Sequence, residues 1–332
     1  MHFDLPEAEL AGYRSAQTEP EDFSRFWDET MARSRSHDLD IQLSRPESLV
    51  TQFDLFDVTF RGFDGQQVRA WLRSPRGELE GLPVVVEFVG YGGGRGRAED
   101  SLFWAACGYA HLVMDTRGQG SSWRAGDTGD DAWTGPQVPG MMTKGIGHRD
   151  TYYYRRLFVD AARALDAARS IVKPAHVISY GISQGGGVAV AAATLAGHAS
   201  AVVANVPFLC DIPRAITVTD SDPYAEIARF LSIHRESEDQ VHDTLRYFDV
   251  VNFAKHCTAP ALFSTALMDT VCPPSTVFGA FNAYAGEKEI VVHRFNGHDH
   301  DTDDDVRVAR RLRAMGLGPI PRPHLHEDRT AS

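Results

Sequence analysis

The chain is short of the features that would mark a membrane protein, a disulfide scaffold or a nucleic-acid binder. Its 332 residues hold only four cysteines, Cys107, Cys210, Cys257 and Cys272, and no Cys-x-x-Cys pair. That spacing argues against a zinc site or a disulfide framework and predicts buried free thiols. No apolar run approaches the ~20 residues needed to cross a bilayer. The opening residues, Met1-His2-Phe3-Asp4-Leu5-Pro6-Glu7, lack the basic start and apolar core of a signal peptide, so a cytoplasmic protein is expected. Positive charge is scarce: 33 Lys and Arg face 45 Asp and Glu, a net charge of -12. Nucleic-acid surfaces need clustered Lys and Arg, so nucleic acid is not an expected partner, and the acidity reads as solubility. Internal repeats are also missing.

What is present is an alternation of strand-like and helix-like segments. The first forty residues read as an amphipathic helical arm, with Phe23, Phe26, Trp27 and Met31 at helical spacing. Phe53 to Phe60 alternates apolar and polar residues, Asp64-Gly65 makes a turn, and Val68 to Leu72 returns, which predicts an antiparallel hairpin with one wet face. Near-continuous apolar strands are then expected at 83–89, 110–115, 175–180, 201–206, 261–267 and 289–293. Helical stretches separate most of them, the clearest from Arg155 to Val172. This pattern predicts an α/β fold: a mostly parallel sheet covered on both faces, with ligands bound beyond the carboxyl ends of the strands. Residues 1–318 are read as one domain. Within it, 207–259 form an insertion that caps the pocket, meets a partner, or both; beyond it, 319–332 form a polar tail.

The chemistry concentrates at Gly181-Ile182-Ser183-Gln184-Gly185, between a strand and the small-residue stretch Gly186-Gly187-Val188-Ala189. At a strand-to-helix junction a Gly-x-Ser-x-Gly forms a nucleophile elbow, with the serine oxygen raised above the sheet edge. Alone, the pentapeptide is an ordinary turn in many chains. Its partners strengthen the reading. A serine hydroxyl needs a base, and the base needs an orienting carboxylate. In α/β-hydrolases these follow in the order Ser, acid, His, and here Ser183, Asp269 and His298 each follow a predicted strand end. Singly, Asp269 fits a turn or helix cap, and His298 an ordinary loop histidine. A metal cluster of His293, His298 and His300 with Asp299 and Asp301 is conceivable, but the catalytic use of His298 is preferred and neither metal nor cofactor is expected. An oxyanion hole would combine the N–H of Gln184 with that of Tyr91, in the loop Gly90-Tyr91-Gly92-Gly93-Gly94. A phosphate cradle is a poorer reading of that loop, because it lacks the Gly-Lys-Ser/Thr ending. Arg117, in Arg117-Gly118-Gln119-Gly120, is expected to tie loops or a carboxylate together beneath the site.

Taken together, the motifs resemble the acetyl xylan esterase and cephalosporin-C deacetylase group, carbohydrate esterase family seven. The residues that carry the likeness are Arg117 to Gly120, Gly181 to Gly187 and Met268 to Phe278. Phe3 to Pro6, Tyr13-Arg14, Met142 to Ile146 and Tyr152 to Arg156 add to it. The likeness runs from Phe3 to about Gly316. It implies an α/β-hydrolase fold with a helical insertion. It also implies removal of acetyl groups from short xylo-oligosaccharides and from cephalosporin C, and a homohexamer built as a trimer of dimers. Trp104, Phe208, Pro223 and Val271 are implied for a small acyl pocket, with plain core packing as the alternative role. One departure stands out: Asp299 follows the histidine where the family usually has Glu. The alternatives are a broader short-chain carboxylesterase, a peptidase of the prolyl-oligopeptidase type, and a hydrolase-like binding protein.

Overall fold

A nine-stranded mixed sheet runs through the computed structural model, which describes residues 2–77, 79–132, 139–299 and 302–320. The strands are β1 (Gln42–Ser44), β2 (Phe53–Arg61), β3 (Gln67–Pro75), β4 (Val84–Phe88), β5 (Ala110–Met114), β6 (Val177–Ile182), β7 (Ala201–Asn205), β8 (Ala261–Ala266) and β9 (Lys288–His293). Their spatial order is β1-β2-β3-β5-β4-β6-β7-β8-β9. Pairings from β1 to β5 through β2 and β3 are antiparallel, and the remainder are parallel. β4 lies between β5 and β6, so the chain leaves it toward opposite sides of the sheet. Such a reversal opens a crevice at the strand ends, where open α/β sheets place ligands.

The sequence pattern accounts for this division. β4 and β5 are almost wholly buried and mostly apolar, as strands covered on both faces must be, with Glu87 and His111 the polar exceptions. β2 and β3 alternate buried and more open positions, and they form the predicted hairpin. The expected strand at 175–180 begins and ends two residues later. Gly181 and Ile182 still pair with Ala204 and Asn205 of β7, so the strand runs to the residue before Ser183. β1 was not anticipated; three exposed residues carry no periodic signal.

One face of the sheet carries the helices Tyr153–Val172 and Gln184–Ala196. On the other face, Trp104, Val308 and Leu312 pack over Val85, Ile178, Tyr180 and Val203. The N-terminal arm is less helical than expected. It holds one helical turn at Glu7–Leu10 and a helix at Phe23–Arg35, with mostly non-helical chain between them. That link is a strap whose side chains reach the insertion. Tyr13 Oη donates to Asp211 Oδ2 at 2.7 Å, and Gln17 Nε2 donates to Asp249 Oδ2 at 2.9 Å. Gly12 and Pro20 disfavour a continuous helix across this stretch, and Ser15 Oγ accepts from Gln17 N–H at 3.0 Å, a local turn bond that competes with helix. The insertion itself folds as four helices, Ile212–Val218, Tyr224–Ile233, Glu238–Leu245 and Val250–Ala254. Of the polar tail, residues 321–332 lie outside the described residues.

Candidate active site

β6 ends in a turn too tight for side chains. A Cβ on Gly181 would stand 2.1 Å from the Gly185 carbonyl, and one on Gly185 would stand 1.9 Å from the Phe88 carbonyl oxygen. Ser183 between them has φ 58° and ψ -122°, a conformation that costs a non-glycine residue about 1–3 kcal/mol. Backbone bonds hold it there. Ser183 N–H donates to Asn205 O at 2.9 Å, and its carbonyl accepts from Phe208 N–H at 2.9 Å and Gly187 N–H at 3.2 Å. The helix starts at Gln184, directly after the serine and two residues earlier than expected.

Ser183, His298 and Asp269 come together from three strand ends. His298 Nε2 lies 3.0 Å from Ser183 Oγ, and His298 Nδ1 lies 2.8 Å from Asp269 Oδ2. Asp269 is fully buried. Its Oδ1 accepts from Val271 N–H and Cys272 N–H, each at 2.8 Å. Both readings of Asp269 therefore hold at once: one oxygen makes the turn, and the other orients the base. A carboxylate facing Nδ1 fixes the proton on that nitrogen and leaves Nε2 as the acceptor toward the serine.

Tyr91 lies just beyond β4 and lines the same cavity as Ser183, and Gln184 opens the helix directly after Ser183, the two positions expected of oxyanion donors. Among the described residues neither N–H has a hydrogen-bond partner. What sequence reading missed is how the two loops are locked together. Gln119 is buried between them. Its Oε1 accepts from Gly92 N–H at 2.7 Å, and its Nε2 donates to Gln184 Oε1 and Tyr153 Oη, both at 3.0 Å. Tyr154 Oη also donates to Gln184 Oε1 at 3.0 Å. On the far side of the loop, Tyr91 Oη donates to the buried Glu226 at 2.7 Å, which pins the glycine-rich loop to the insertion. Burial and the Glu226 charge push the Tyr91 phenol well above its ordinary pKa, so it stays a neutral donor. Only the Arg-Gly-Gln-Gly motif hinted at Gln119, and nothing hinted at Glu226.

A cavity of about 640 Å³ opens over the serine. Trp104, Pro223 and Val271 line it with Tyr91, Ser183 and His298. Phe208 does not. Its ring is fully buried, 4.1 Å from the Tyr224 ring in the core behind the nucleophile, and its contribution is the backbone N–H on the Ser183 carbonyl. The far wall of the cavity is polar, with Glu87 and Arg124. Burial alone would raise the Glu87 carboxyl, but the His111 hydrogen bond and the His111, Arg124 and Arg73 charges hold it down at about 2. Asp299 stands at the rim and accepts from Asn296 Nδ2 at 2.8 Å. Arg117 has the supporting role expected of it. Its Nε and Nη2 donate to the two oxygens of buried Asp160 at 2.6 and 2.8 Å, and its carbonyl accepts from Tyr153 Oη.

Of the conceivable histidine cluster, His300 and Asp301 lie outside the described residues. Among the described residues Asp269, Cys272 and His298 place donor atoms within 4.8 Å of one another. Two of these already engage each other, and burial raises the Cys272 pKa well above its ordinary value, keeping it a neutral thiol.

Comparison with known proteins gives the family and the fold. The family model for acetyl xylan esterase (AXE1) matches residues 1–309. An acetyl xylan esterase from Paenibacillus sp. R4 is similar at 35% identity and a TM-score of 0.87, covering 93% of this chain and 99% of that one. Acetyl xylan esterase 1 from Thermoanaerobacterium sp. JW/SL YS485 is similar at 30% identity and a TM-score of 0.86, covering 95% and 99%. Acetyl esterase Axe7A from Xylanibacter ruminicola is 26% identical over 285 residues, and the match takes in 84% of this chain but only 63% of that protein's length. The fold is that of an α/β-hydrolase, and the chain belongs to the acetyl xylan esterase family.

Proposed function

We propose that this protein is a serine esterase that removes acetyl groups from small acetylated sugars, xylo-oligosaccharides foremost, through an acetyl-enzyme intermediate. The observation that carries the reading is the Ser183–His298–Asp269 relay, assembled at hydrogen-bond distance beneath an open cavity in a chain of this family. His298 Nε2 takes the Ser183 proton as Oγ attacks the acetyl carbonyl. Asp269 holds the ring and stabilises its cationic form. The Tyr91 and Gln184 N–H groups receive the oxyanion. The alcohol leaves with the proton from His298, and a water activated by the same ring then releases acetate. Each proton passes through one nitrogen, and no step requires a metal ion.

Cephalosporin C, a cytoplasmic location and a ring of six subunits that admits small esters and excludes polymeric xylan complete the proposal. The substrate and the ring rest on family likeness; the location does not. One observation favours a second reading: the cavity is much larger than an acetyl group needs, which suits a broader short-chain carboxylesterase. The test is acetate release by wild type and Ser183→Ala from acetylated xylo-oligosaccharide and cephalosporin C, beside a matched butyrate ester. Ser183-dependent acetate release with poor use of butyrate supports the deacetylase. Preference for butyrate transfers the protein to the broader class, and near-wild-type turnover by Ser183→Ala rejects the serine mechanism altogether.

A further inference from the structure

The cavity has an aromatic wall that the proton relay does not use. Trp123 lines it together with Ser183 and His298, yet 61% of the residue is exposed. Large exposed aromatics are costly to leave in water, and this one is not a loose loop side chain. Its Nε1–H donates to Tyr91 O at 2.8 Å. Its benzo edge fills the space over Gly93, where a Cβ would stand 2.5 Å from Cζ2. The backbone around it is laced to the glycine-rich loop. Ser122 N–H donates to Gly92 O at 3.2 Å, Gly94 N–H to Arg124 O at 2.9 Å, and Gly96 N–H to Ala125 O at 2.8 Å. The indole is therefore held at fixed height beside the peptide that supplies an oxyanion donor, with most of its surface open.

We propose that Trp123 is the platform on which the sugar ring of the substrate stacks, and that it sets the preference for glycosyl acetates over small alkyl acetates. The inference deepens the acetylated-sugar reading and rests on it. A pyranose presents an apolar face of C–H groups, and a rigid, solvent-exposed indole is the complementary surface. Trp104, Pro223 and Val271 enclose the apolar end of the same cavity. The open side, where Trp123 stands, is where a leaving alcohol must exit. Trp123 acts here on binding and orientation and moves no proton.

The test compares wild type, Trp123→Leu and Trp123→Tyr on acetylated xylobiose and on ethyl acetate, with kcat and KM separated. The expected result is a fall of about tenfold in the sugar-to-ethyl ratio of kcat/KM for Trp123→Leu, carried mainly by the KM of the sugar ester and largely recovered in Trp123→Tyr. Equal slowing on both esters, leaving the ratio unchanged, makes Trp123 a mere support for the loop and overturns the proposal. A wild type that does not favour the sugar ester overturns the acetylated-sugar reading, and the platform with it. Should Trp123→Leu fail to fold, Ser183→Ala with its indole intact decides. Acetylated xylobiose must then shield one tryptophan from acrylamide quenching, an effect lost in Ser183→Ala/Trp123→Tyr; no shielding at saturating sugar overturns the proposal.

Discussion

Replacing Gln119 by methionine asks whether the two oxyanion loops are held by one side chain. Methionine keeps the length and most of the volume of glutamine but has no donor and only a weak acceptor. Besides a weak bond from Gln184 Nε2 at 3.4 Å, three hydrogen bonds vanish: from Gly92 N–H, to Gln184 Oε1 and to Tyr153 Oη. Each is worth about 1 kcal/mol net, and the Gly92 N–H left dry and unpaired adds about 1–3 kcal/mol. A loss of about 4–6 kcal/mol is expected in urea unfolding, which a domain toward the upper part of the ordinary range of about 5–15 kcal/mol survives. The catalytic effect is separable. Removing an oxyanion donor outright costs about 10²–10³ in kcat. Here the donors remain but their loops are freed, so a fall of about 10–100-fold in kcat is expected, with KM nearly unchanged because the oxyanion exists only in the transition state. Rates should be normalised to sites titrated with a fluorophosphonate, at a temperature well below unfolding. Tyr154→Phe provides the scale: it removes one bond to Gln184 Oε1, leaves the Gln119 bridge in place, and should cost no more than about threefold. A folded Gln119→Met protein with kcat within twofold of wild type would refute the bridging argument.

Asp269→Asn should fold, since an Asn oxygen can still accept from Val271 and Cys272, but kcat should drop by about 10⁴-fold because the proton on Nδ1 loses its acceptor; acetate release measures it. Trp104→Ala should cost about 3–5 kcal/mol in thermal or urea unfolding and raise the butyrate-to-acetate ratio, because the deleted indole is both a cavity wall and a core ring set edge-on to Tyr109 and Tyr180. For Glu87 the sign is that of a depressed carboxyl. Its folded value of about 2 lies below the ordinary 4.5, so its stabilisation is complete above about pH 4.5 and drains away as pH falls toward 2. Unfolding midpoints of Glu87→Gln should accordingly change less with pH across that acid window than those of wild type, and an equally steep acid limb would count against it.

The parts that were legible from sequence are those set by local chain chemistry. Gly181 and Gly185 announce a turn with no room for Cβ atoms, and the structure shows the backbone oxygens and carbons that would collide. Buried parallel strands read as apolar runs, so Ser183, Asp269 and His298 could be placed at strand ends before any contact was known. What escaped depends on chain segments far apart. Residues 11–22 carry apolar and polar groups that suit an arm, with Gly12 and Pro20 against a continuous helix, but that Tyr13 and Gln17 bond Asp211 and Asp249, about two hundred residues on, has no local signal. Phe208 was assigned to the pocket by family resemblance, with core packing as its alternative role. Its backbone does serve the site, while its ring turns inward to Tyr224.

The same distinction explains why the site has two kinds of residue. The relay can be written from three side chains, because each acts through one short hydrogen bond whose chemistry is evident from residue type. The oxyanion site cannot, because its donors are backbone N–H groups that every residue but proline possesses. What makes these two useful is placement, and placement comes from Gln119, Tyr153, Tyr154, Glu226 and Trp123, none of which has a recognisable chemical role by itself. Gln119, Trp123 and Tyr154 reach the glycine-rich loop or Gln184 from the 119–154 stretch, Tyr153 holds Gln119, and Glu226 comes from the insertion. The loop is therefore fixed by elements on both sides of the cavity, and a substrate bound between them meets donors that need not reorganise when the charge develops.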